Sequence, residues 1–350
     1  MTSRERELAA IRHQVTDRLP VDRICIEILP ELAAHLGVEQ GQVEDELGID
    51  GRLIAPGFKG EVPKTTSVEA CDEWGTAAFQ DYGSAHRYPL AGATSVAEVE
   101  RYPWPNPADY DYEATARVAK EWGAKYAVRG PYWKPLFCRV ASLFGLEEAL
   151  VKMATEPAVF EAALDKVTDH TAELCERFLT ACGDSVPILC LGDDFATQRG
   201  LMMSPVHWRR FIKPCLARVF AVGKRMGKVV WFHSCGDVTA VLPDLIDIGA
   251  DVWETVQLHA LPMTARELKR QFGKHLAFFG GVNTQRLPFA TPDEVRDEVV
   301  RCIEVLGEGG GYLCGPDHHI KPDVPPENAV ALFRAATGFR REGYTARIPS

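Results

Sequence analysis

The chain has 350 residues, of which 46% are hydrophobic and 25% are charged, so it can bury a large core without disulfides or metal as staples. This composition excludes a disordered or low-complexity chain. The 39 Lys and Arg residues against 49 Asp and Glu give a net charge of −10 without a basic run, which argues against nucleic acid and anionic membranes as partners. We expect a small-molecule substrate or a protein partner.

The predicted elements change in character near residue 113. Before it lies an irregular region rich in turn formers, and after it short apolar strands alternate with helix patterns. The predicted strands are Val21–Ile28, Tyr126–Arg129, Val186–Leu191, Lys228–Phe232, Asp251–Val256, Leu276–Gly281 and Gly311–Cys314. The predicted helices are Pro157–Leu179, Ser204–Met226, Asp237–Ile248, Thr264–Phe272, Thr291–Leu306 and Pro326–Ala336.

This alternation predicts parallel strand–helix–strand units. Seven visible strands fit a (β/α)8 TIM barrel with one further strand hidden in the irregular N-terminal third. The main rival is a doubly wound open sheet, but its nucleotide signatures G-x-G-x-x-G and G-x-x-x-x-G-K-[ST] are missing. We therefore predict one barrel domain over residues 1–350, with 29–112 as a mostly irregular insertion or extension.

The location of the protein follows from its apolar segments and cysteines. No window approaches the roughly 18 apolar residues that a membrane helix needs, and the charged segment Met1–Arg12 does not resemble a secretory leader. We expect a cytoplasmic protein whose ten scattered cysteines are reduced. A functional cysteine here would bind a metal or act in catalysis.

In a barrel, residues that follow the strands line the active site. His233 and Cys235, two positions apart after one predicted strand, are ligand types that suit zinc. The last predicted strand ends in Cys314 and is followed by His318 and His319, so a third ligand can come from this cluster. The alternative is a structural role for the His-x-Cys pair.

Polar and aromatic side chains follow the other strands. Asp193 and Asp194 form a carboxylate pair, of which we expect one to face the site and one to cap or pair. An apolar pocket wall is predicted from Tyr132, Trp133 and Phe137, although an aromatic run is equally typical of a core. The remaining candidates for substrate binding are Gln198, Glu254, Gln257 and Asn283. The sequence contains no G-x-S-x-G, no H-E-x-x-H and no D-x-H-x-x-G segment of a corrinoid-binding domain.

These motifs resemble the uroporphyrinogen decarboxylase superfamily, whose fold is a (β/α)8 barrel. The resemblance covers nearly the whole chain. It rests on the opening 2–21, on Gly192-Asp193-Asp194-Phe195, on Trp231-Phe232-His233-Ser234-Cys235-Gly236-Asp237-Val238, and on the ending from Pro316-Asp317-His318 to Pro326-Glu327-Asn328.

One branch of that superfamily decarboxylates uroporphyrinogen without a cofactor and carries the motif R-Q-A-G-R-Y near its first strand. The matching segment here, Glu27–Leu32, has no arginine. A tetrapyrrole with many carboxylates needs cationic partners, so this departure counts against true decarboxylase activity.

The resemblance to the other branch implies a zinc-dependent methyltransferase that works with a corrinoid (cobalamin) held by a separate protein. The substrate would be small, for example an aromatic methyl ether, and Asp193 or Asp194 would orient or deprotonate it. His233 and Cys235 match the first two zinc ligands. The family's third ligand falls on His318 by position, while Cys314 is the alternative by residue type.

Two other functions remain open from the sequence. One is a metal-free decarboxylase or lyase on a smaller acid, in which His318 and the Asp193/Asp194 pair transfer protons. The other is a metal-free binding module.

Overall fold

The structure is a computed structural model, which describes residues 1–62, 71–76 and 88–339. Its strands are β1 (Gly51–Leu53), β2 (Ala127–Pro131), β3 (Ile188–Gly192), β4 (Ala196–Thr197), β5 (Gly200–Leu201), β6 (Val229–His233), β7 (Val252–Val256), β8 (Ala277–Val282) and β9 (Tyr312–Pro316). Its α-helices are α1 (Ser3–Ile11), α2 (Leu29–Leu36), α3 (Val43–Glu46), α4 (Val96–Glu100), α5 (Tyr112–Gly123), α6 (Phe137–Phe144), α7 (Leu146–Thr155), α8 (Pro157–Cys182), α9 (Pro205–His207), α10 (Lys213–Arg225), α11 (Leu242–Asp247), α12 (Ala265–Phe272), α13 (Pro292–Leu306) and α14 (Pro326–Gly338).

A parallel sheet of seven strands, in the order β1-β2-β3-β6-β7-β8-β9, runs through the described residues. Its two edges are joined through the segment Pro20–Asp22. The Cys314 N–H donates to the Pro20 carbonyl at 3.0 Å, and the Asp50 N–H donates to the Val21 carbonyl at 2.8 Å. This segment takes the place of an eighth strand and curls the sheet into a barrel, which confirms the predicted (β/α)8 class.

The N-terminal third differs in detail from the prediction. The hidden strand is β1, which pairs with β2. The prediction of a continuous strand over Val21–Ile28 was wrong. Within this segment only Val21 and Ile26 form bridges, and the chain bends between them. At that bend the Asp22 carboxylate accepts the Arg23 N–H at 2.7 Å. Within the predicted irregular region, 29–112, residues 63–70 and 77–87 lie outside the described residues.

Alternation along the strands sorts side chains into two layers. On β6, Trp231 belongs to the apolar cluster inside the barrel, whereas Val230 and Phe232 pack in the layer between the sheet and its helices. His233 continues the inward series at the end of β6. A residue at this position therefore lies at the barrel mouth.

The helix starts follow local capping chemistry. Thr291 and Glu294 form the predicted capping box at the start of α13. The predicted helix over Ser204–Met226 is present but contains a π-helical turn over Trp208–Ile212. The predicted helix over Asp237–Ile248 begins later, at Leu242, because the Asp237 carboxylate instead accepts the Thr239 N–H in a turn. No described helix combines the length and apolar character needed to cross a membrane.

The buried carboxylate of Asp50 holds the segment Pro20–Asp22, which closes the barrel, in place. Asp50 is fully buried and accepts the Val21 N–H at 2.9 Å. It also pairs with Arg6 at 2.6 Å and with Arg18 at 2.8 Å. These contacts tie α1, the closing segment and the start of β1 together at one point.

We predict that Asp50→Ala lowers the free energy of unfolding by about 3–5 kcal/mol, because it leaves two guanidinium groups without their shared buried partner. The matched control is Glu46→Ala, which removes the exposed ion pair with Arg334 and should cost less than about 1 kcal/mol. Urea unfolding followed by far-UV circular dichroism measures both. Equal effects of the two substitutions would contradict the role given to Asp50.

Candidate metal centre

Three side chains that could ligate a metal meet at the C-terminal ends of β6 and β9. The nearest ligand atoms of His233, Cys235 and His318 all lie within 4.8 Å of one another, and no other such group occurs among the described residues. The His233 Nε2 and Cys235 Sγ atoms are 3.4 Å apart. The strands thus bring together residues that are more than eighty positions apart in the sequence.

His233 is oriented by a buried carboxylate on the neighbouring strand. Its Nδ1 lies 2.8 Å from Glu254 Oε1, and the indole N–H of Trp231 donates to the other oxygen of Glu254. A proton on Nδ1, donated to Glu254, leaves the Nε2 lone pair facing Cys235. A carboxylate behind a histidine in this way is typical of metal sites, where it fixes the tautomer and the ring orientation.

Without a metal, the electrostatics of this pair favour a charged imidazole beside a carboxylate. Burial raises the pKa of Glu254, but the hydrogen bond and charge of His233 outweigh it, so its net pKa is lowered and the group is a carboxylate. Burial lowers the pKa of His233, but Cys235, Glu254 and Asp194 outweigh it and raise it well above its usual range. Metal binding at Nε2 would therefore displace a proton.

Cys235 sits in a tight turn that needs glycine at the next position. Gly236 has φ +78°, and a Cβ there would lie 2.4 Å from the Thr197 carbonyl oxygen. The Cys235 N–H donates to Asp194 Oδ1 at 2.8 Å, and the Gly236 N–H donates to Gln257 Oε1 at 2.8 Å. The turn is fixed from both sides, so the thiol is held in place.

His318 follows β9 directly. Burial is the main cause and the nearby charge of His233 the second cause that lower the pKa of His318 to about 4. Its imidazole is therefore neutral near pH 7 and has a free lone pair. The preceding residue, Asp317, is fully buried and accepts the N–H and the hydroxyl of Thr284 at 3.0 and 2.6 Å. This contact fixes the backbone from which His318 projects.

Cys314 lies elsewhere. It is fully buried on β9, in the apolar layer between the sheet and the helices, and burial raises its pKa to about 12. It is not part of the group of candidate ligands. The prediction that offered Cys314 as an alternative ligand is therefore corrected, because strand alternation turns this side chain away from the mouth.

The two adjacent carboxylates have different surroundings. Asp193 is buried and accepts the N–H groups of Phe137 and Cys138 at 2.8 and 2.9 Å, so it caps α6 instead of facing a substrate. Burial raises the pKa of Asp193 to about 6. Asp194 faces the centre, where its Oδ1 lies 3.6 Å from His233 Nε2. A catalytic role for Asp193 is corrected, and of the two carboxylates only Asp194 lies beside the candidate ligands.

Several predicted substrate-binding residues have structural roles. Phe137 is fully buried in the core. Both oxygens of Glu254 are used by His233 and Trp231. The Asn283 side chain accepts the Gln285 N–H at 2.9 Å in its own loop and does not line the cleft. These three assignments are corrected, since each side chain is buried or already paired.

A cleft of about 470 Å³ opens above the candidate ligands and is lined by Cys235 and His318. Of the predicted substrate-binding residues, Gln198 and Gln257 line it. Tyr132 and Trp133 do not line it, and the Trp133 ring packs edge-to-face against His233. Sequence reasoning did not single out Thr284, Phe289 or Lys321, which also line the cleft. The sequence signal that could have identified these three residues is their position in the segments that follow β8 and β9.

Comparison with known proteins assigns the chain to a family. Residues 86–339 match the model of the uroporphyrinogen decarboxylase (URO-D) family. The chain belongs to the uroporphyrinogen decarboxylase family. It is 23% identical to the methylcobamide:CoM methyltransferase MtaA of Methanosarcina barkeri over 95% of this chain and 97% of that protein.

Two further proteins are also similar to this chain. A uroporphyrinogen decarboxylase of Serratia proteamaculans is 25% identical over 75% of this chain and 74% of its own length. A solved methyltransferase from Methanosarcina mazei superposes with a TM-score of 0.66 and 20% identity, over 97% of this chain and 99% of that one. This last likeness supports the fold described above.

We predict that Cys235→Ser and His318→Ala each weaken zinc binding by more than about 100-fold, since loss of a ligand should exceed the cost of losing a partner behind it. Cys314→Ser should bind zinc like the unmodified protein. Competition with a chromophoric chelator measures the affinities, and far-UV circular dichroism checks that each variant is folded. Zinc loss in Cys314→Ser with retention in His318→Ala would reverse the assignment of the third ligand.

Proposed function

We propose that the protein is a zinc-dependent methyltransferase that moves a methyl group between the cobalt of a corrinoid and a small thiol. The observation that carries the proposal is the meeting of His233, Cys235 and His318 at the open mouth of the barrel. The likeness to a methylcobamide:CoM methyltransferase along almost the whole of both chains supports it and suggests a thiol as the acceptor.

The donor set fits zinc. Two imidazole nitrogens and one thiol sulfur are ligands that zinc prefers, and three protein ligands with an open position are typical of a catalytic site. His233, Cys235 and His318 would hold the ion. When bound, zinc supplies Lewis acidity, which lowers the pKa of a substrate thiol and favours its nucleophilic form.

Other residues of the chain would act around that centre. Glu254 holds the Nδ1 proton of His233 and so keeps Nε2 available as a ligand atom. Asp194 is placed beside the ligands, where its carboxylate would orient the substrate or accept the proton that the thiol loses. Gln198 and Thr284 offer neutral hydrogen-bonding groups along the cleft.

The described residues give less support to a decarboxylase. Among those that line the cleft, Lys321 is the one Lys or Arg, and Asp323 lies beside it in the same lining. The carboxylates of a tetrapyrrole would find few cationic partners there. A metal-free lyase that uses both Asp193 and Asp194 is also disfavoured, because Asp193 is committed to the start of α6.

We propose that a separate protein carries the corrinoid, and the likeness to a methylcobamide:CoM methyltransferase over 97% of that protein supports this. Its cobalt must come close to a methyl acceptor held near the three ligands, because transfer requires the reacting atoms to be in near contact. The carrier would therefore cover the cleft. Phe289, which lines the cleft, is 86% exposed and would meet it.

We predict that the zinc-loaded protein demethylates a methylated corrinoid carrier when a small thiol such as coenzyme M is added. The change in cobalt absorbance and the methylated thiol measure the reaction. Cys235→Ser should show less than about 1% of this rate, because the centre would lose a ligand. Turnover of uroporphyrinogen or a smaller acid by the metal-free protein, without methyl transfer, would overturn the proposal in favour of a lyase.

The exposed Phe289 supports a second prediction about the carrier. Asn328 fixes the loop that carries Phe289, because its side-chain amide donates to the Leu287 and Ala290 carbonyls at 2.8 and 2.7 Å. Aromatic residues, including Phe, are enriched at protein–protein interfaces. We predict that Phe289→Ala raises KM for the corrinoid carrier about tenfold.

The same substitution should leave transfer from free methylcobalamin unchanged, because no carrier surface is involved. Val206→Ala is the matched control, since Val206 is 71% exposed but does not line the cleft. An equal loss with free and carrier-bound corrinoid would show that Phe289 acts on the corrinoid or the substrate and not on the carrier.

A further inference from the structure

The indole of Trp133 packs against the ring of the candidate ligand His233. The two ring centroids are 5.4 Å apart, and the planes cross at 88°, an edge-to-face arrangement. Glu254 holds one atom of the same imidazole, Nδ1. That hydrogen bond fixes one atom of the imidazole, whereas the indole packs against the ring as a whole.

Space for the indole comes from a glycine on the adjacent strand. Gly192 on β3 is the register partner of His233 on β6, so a side chain at 192 would lie beside His233. A Cβ at Gly192 would meet the Trp133 ring at 2.7 and 3.0 Å and the His233 Cβ at 3.2 Å. The indole therefore occupies the volume that any other residue at 192 would fill.

The backbone that delivers the indole is strained. Tyr132 and Trp133 both have φ +43°, a left-handed conformation that non-glycine residues adopt rarely. The segment is anchored on both sides, by the Tyr132 N–H on the Cys190 carbonyl at 3.0 Å and by the Phe137 N–H on Asp193 at 2.8 Å. Such strain persists where the surrounding structure enforces it, most often beside a functional site.

From these three observations we infer that Trp133 is a positioning residue for the metal ligand His233, and that Gly192 is required to admit it. The inference rests on the proposed zinc function and deepens it. Trp133 acts through the imidazole: it restricts the ring to the orientation in which Nε2 faces Cys235 and His318. Glu254 and Trp133 then restrain different motions of one ligand.

The test measures metal binding in the full chain. Trp133→Ala should weaken zinc binding about tenfold, the scale found for groups that orient a ligand, and Trp133→Phe should restore most of it. The Co2+-substituted protein should show altered d–d absorption bands in Trp133→Ala. Trp104→Ala is the matched control, because Trp104 is also partly buried but its ring packs on Trp74 and Tyr102.

Gly192→Ala tests the same contact from strand β3, because the added Cβ would displace the Trp133 ring. This substitution should also weaken zinc binding. If both substitutions act through one contact, their double variant should lose much less affinity than the product of the two single losses. Circular dichroism confirms folding, and Trp133→Phe covers the case in which Trp133→Ala does not fold.

Two results would overturn the inference. Zinc affinity and cobalt bands of Trp133→Ala that match the unmodified protein would show that the indole does not position His233. Independent, multiplicative losses in the double variant would show that Gly192 and Trp133 do not share a contact. If the unmodified protein binds no zinc, the proposed function itself fails. If it binds zinc and Trp133→Ala binds zinc equally well, only this inference fails, so the two failures are distinguishable.

Discussion

The parallel register of three neighbouring strands determines the geometry of the candidate centre. It pairs Gly192 on β3 with His233 on β6, and His233 with Glu254 on β7. Residues paired in register point to the same side of a sheet. Gly192, which has no side chain, the His233 imidazole and the Glu254 carboxylate therefore lie side by side at one level of the barrel. A shift of one residue in any strand would turn its member of this row toward the helices.

The rest of the centre is built around this row. Cys235 reaches the imidazole because the chain turns at Gly236 directly after β6. His318 arrives from the last strand, which is held to the first part of the barrel by the segment that Asp50 anchors. The closure of the barrel and the position of the third candidate ligand therefore depend on the same contacts.

Much of the fold and part of the site could be predicted from the sequence. Regular alternation after residue 113 is a strong local signal. The choice between Cys314 and His318 could not be made, because it depends on which way a side chain points from β9. The division of Asp193 and Asp194 into cap and site residue likewise depends on where α6 begins, a tertiary contact. The role of Glu254 could not be predicted either, because it depends on the register of β7 against β6, which pairs Glu254 with His233.

The short strand β1 was hidden for a different reason. With three residues it is too brief to show an alternating pattern, and its place is set by pairing with β2 and by the salt bridges of Asp50. Tertiary contacts outweigh local propensity at such a position.

The ligand set has one further consequence, for oxidation. It contains one thiol and two imidazoles, so no disulfide can form between its own members. Sites with two neighbouring thiols release their metal when the pair is oxidised. Here an oxidant would convert Cys235 to its sulfenic acid, a state that cellular thiols reduce, and Cys314 lies buried in another layer where it cannot trap that state as a disulfide. The candidate centre therefore offers an oxidant one thiol and no second thiol among its three members.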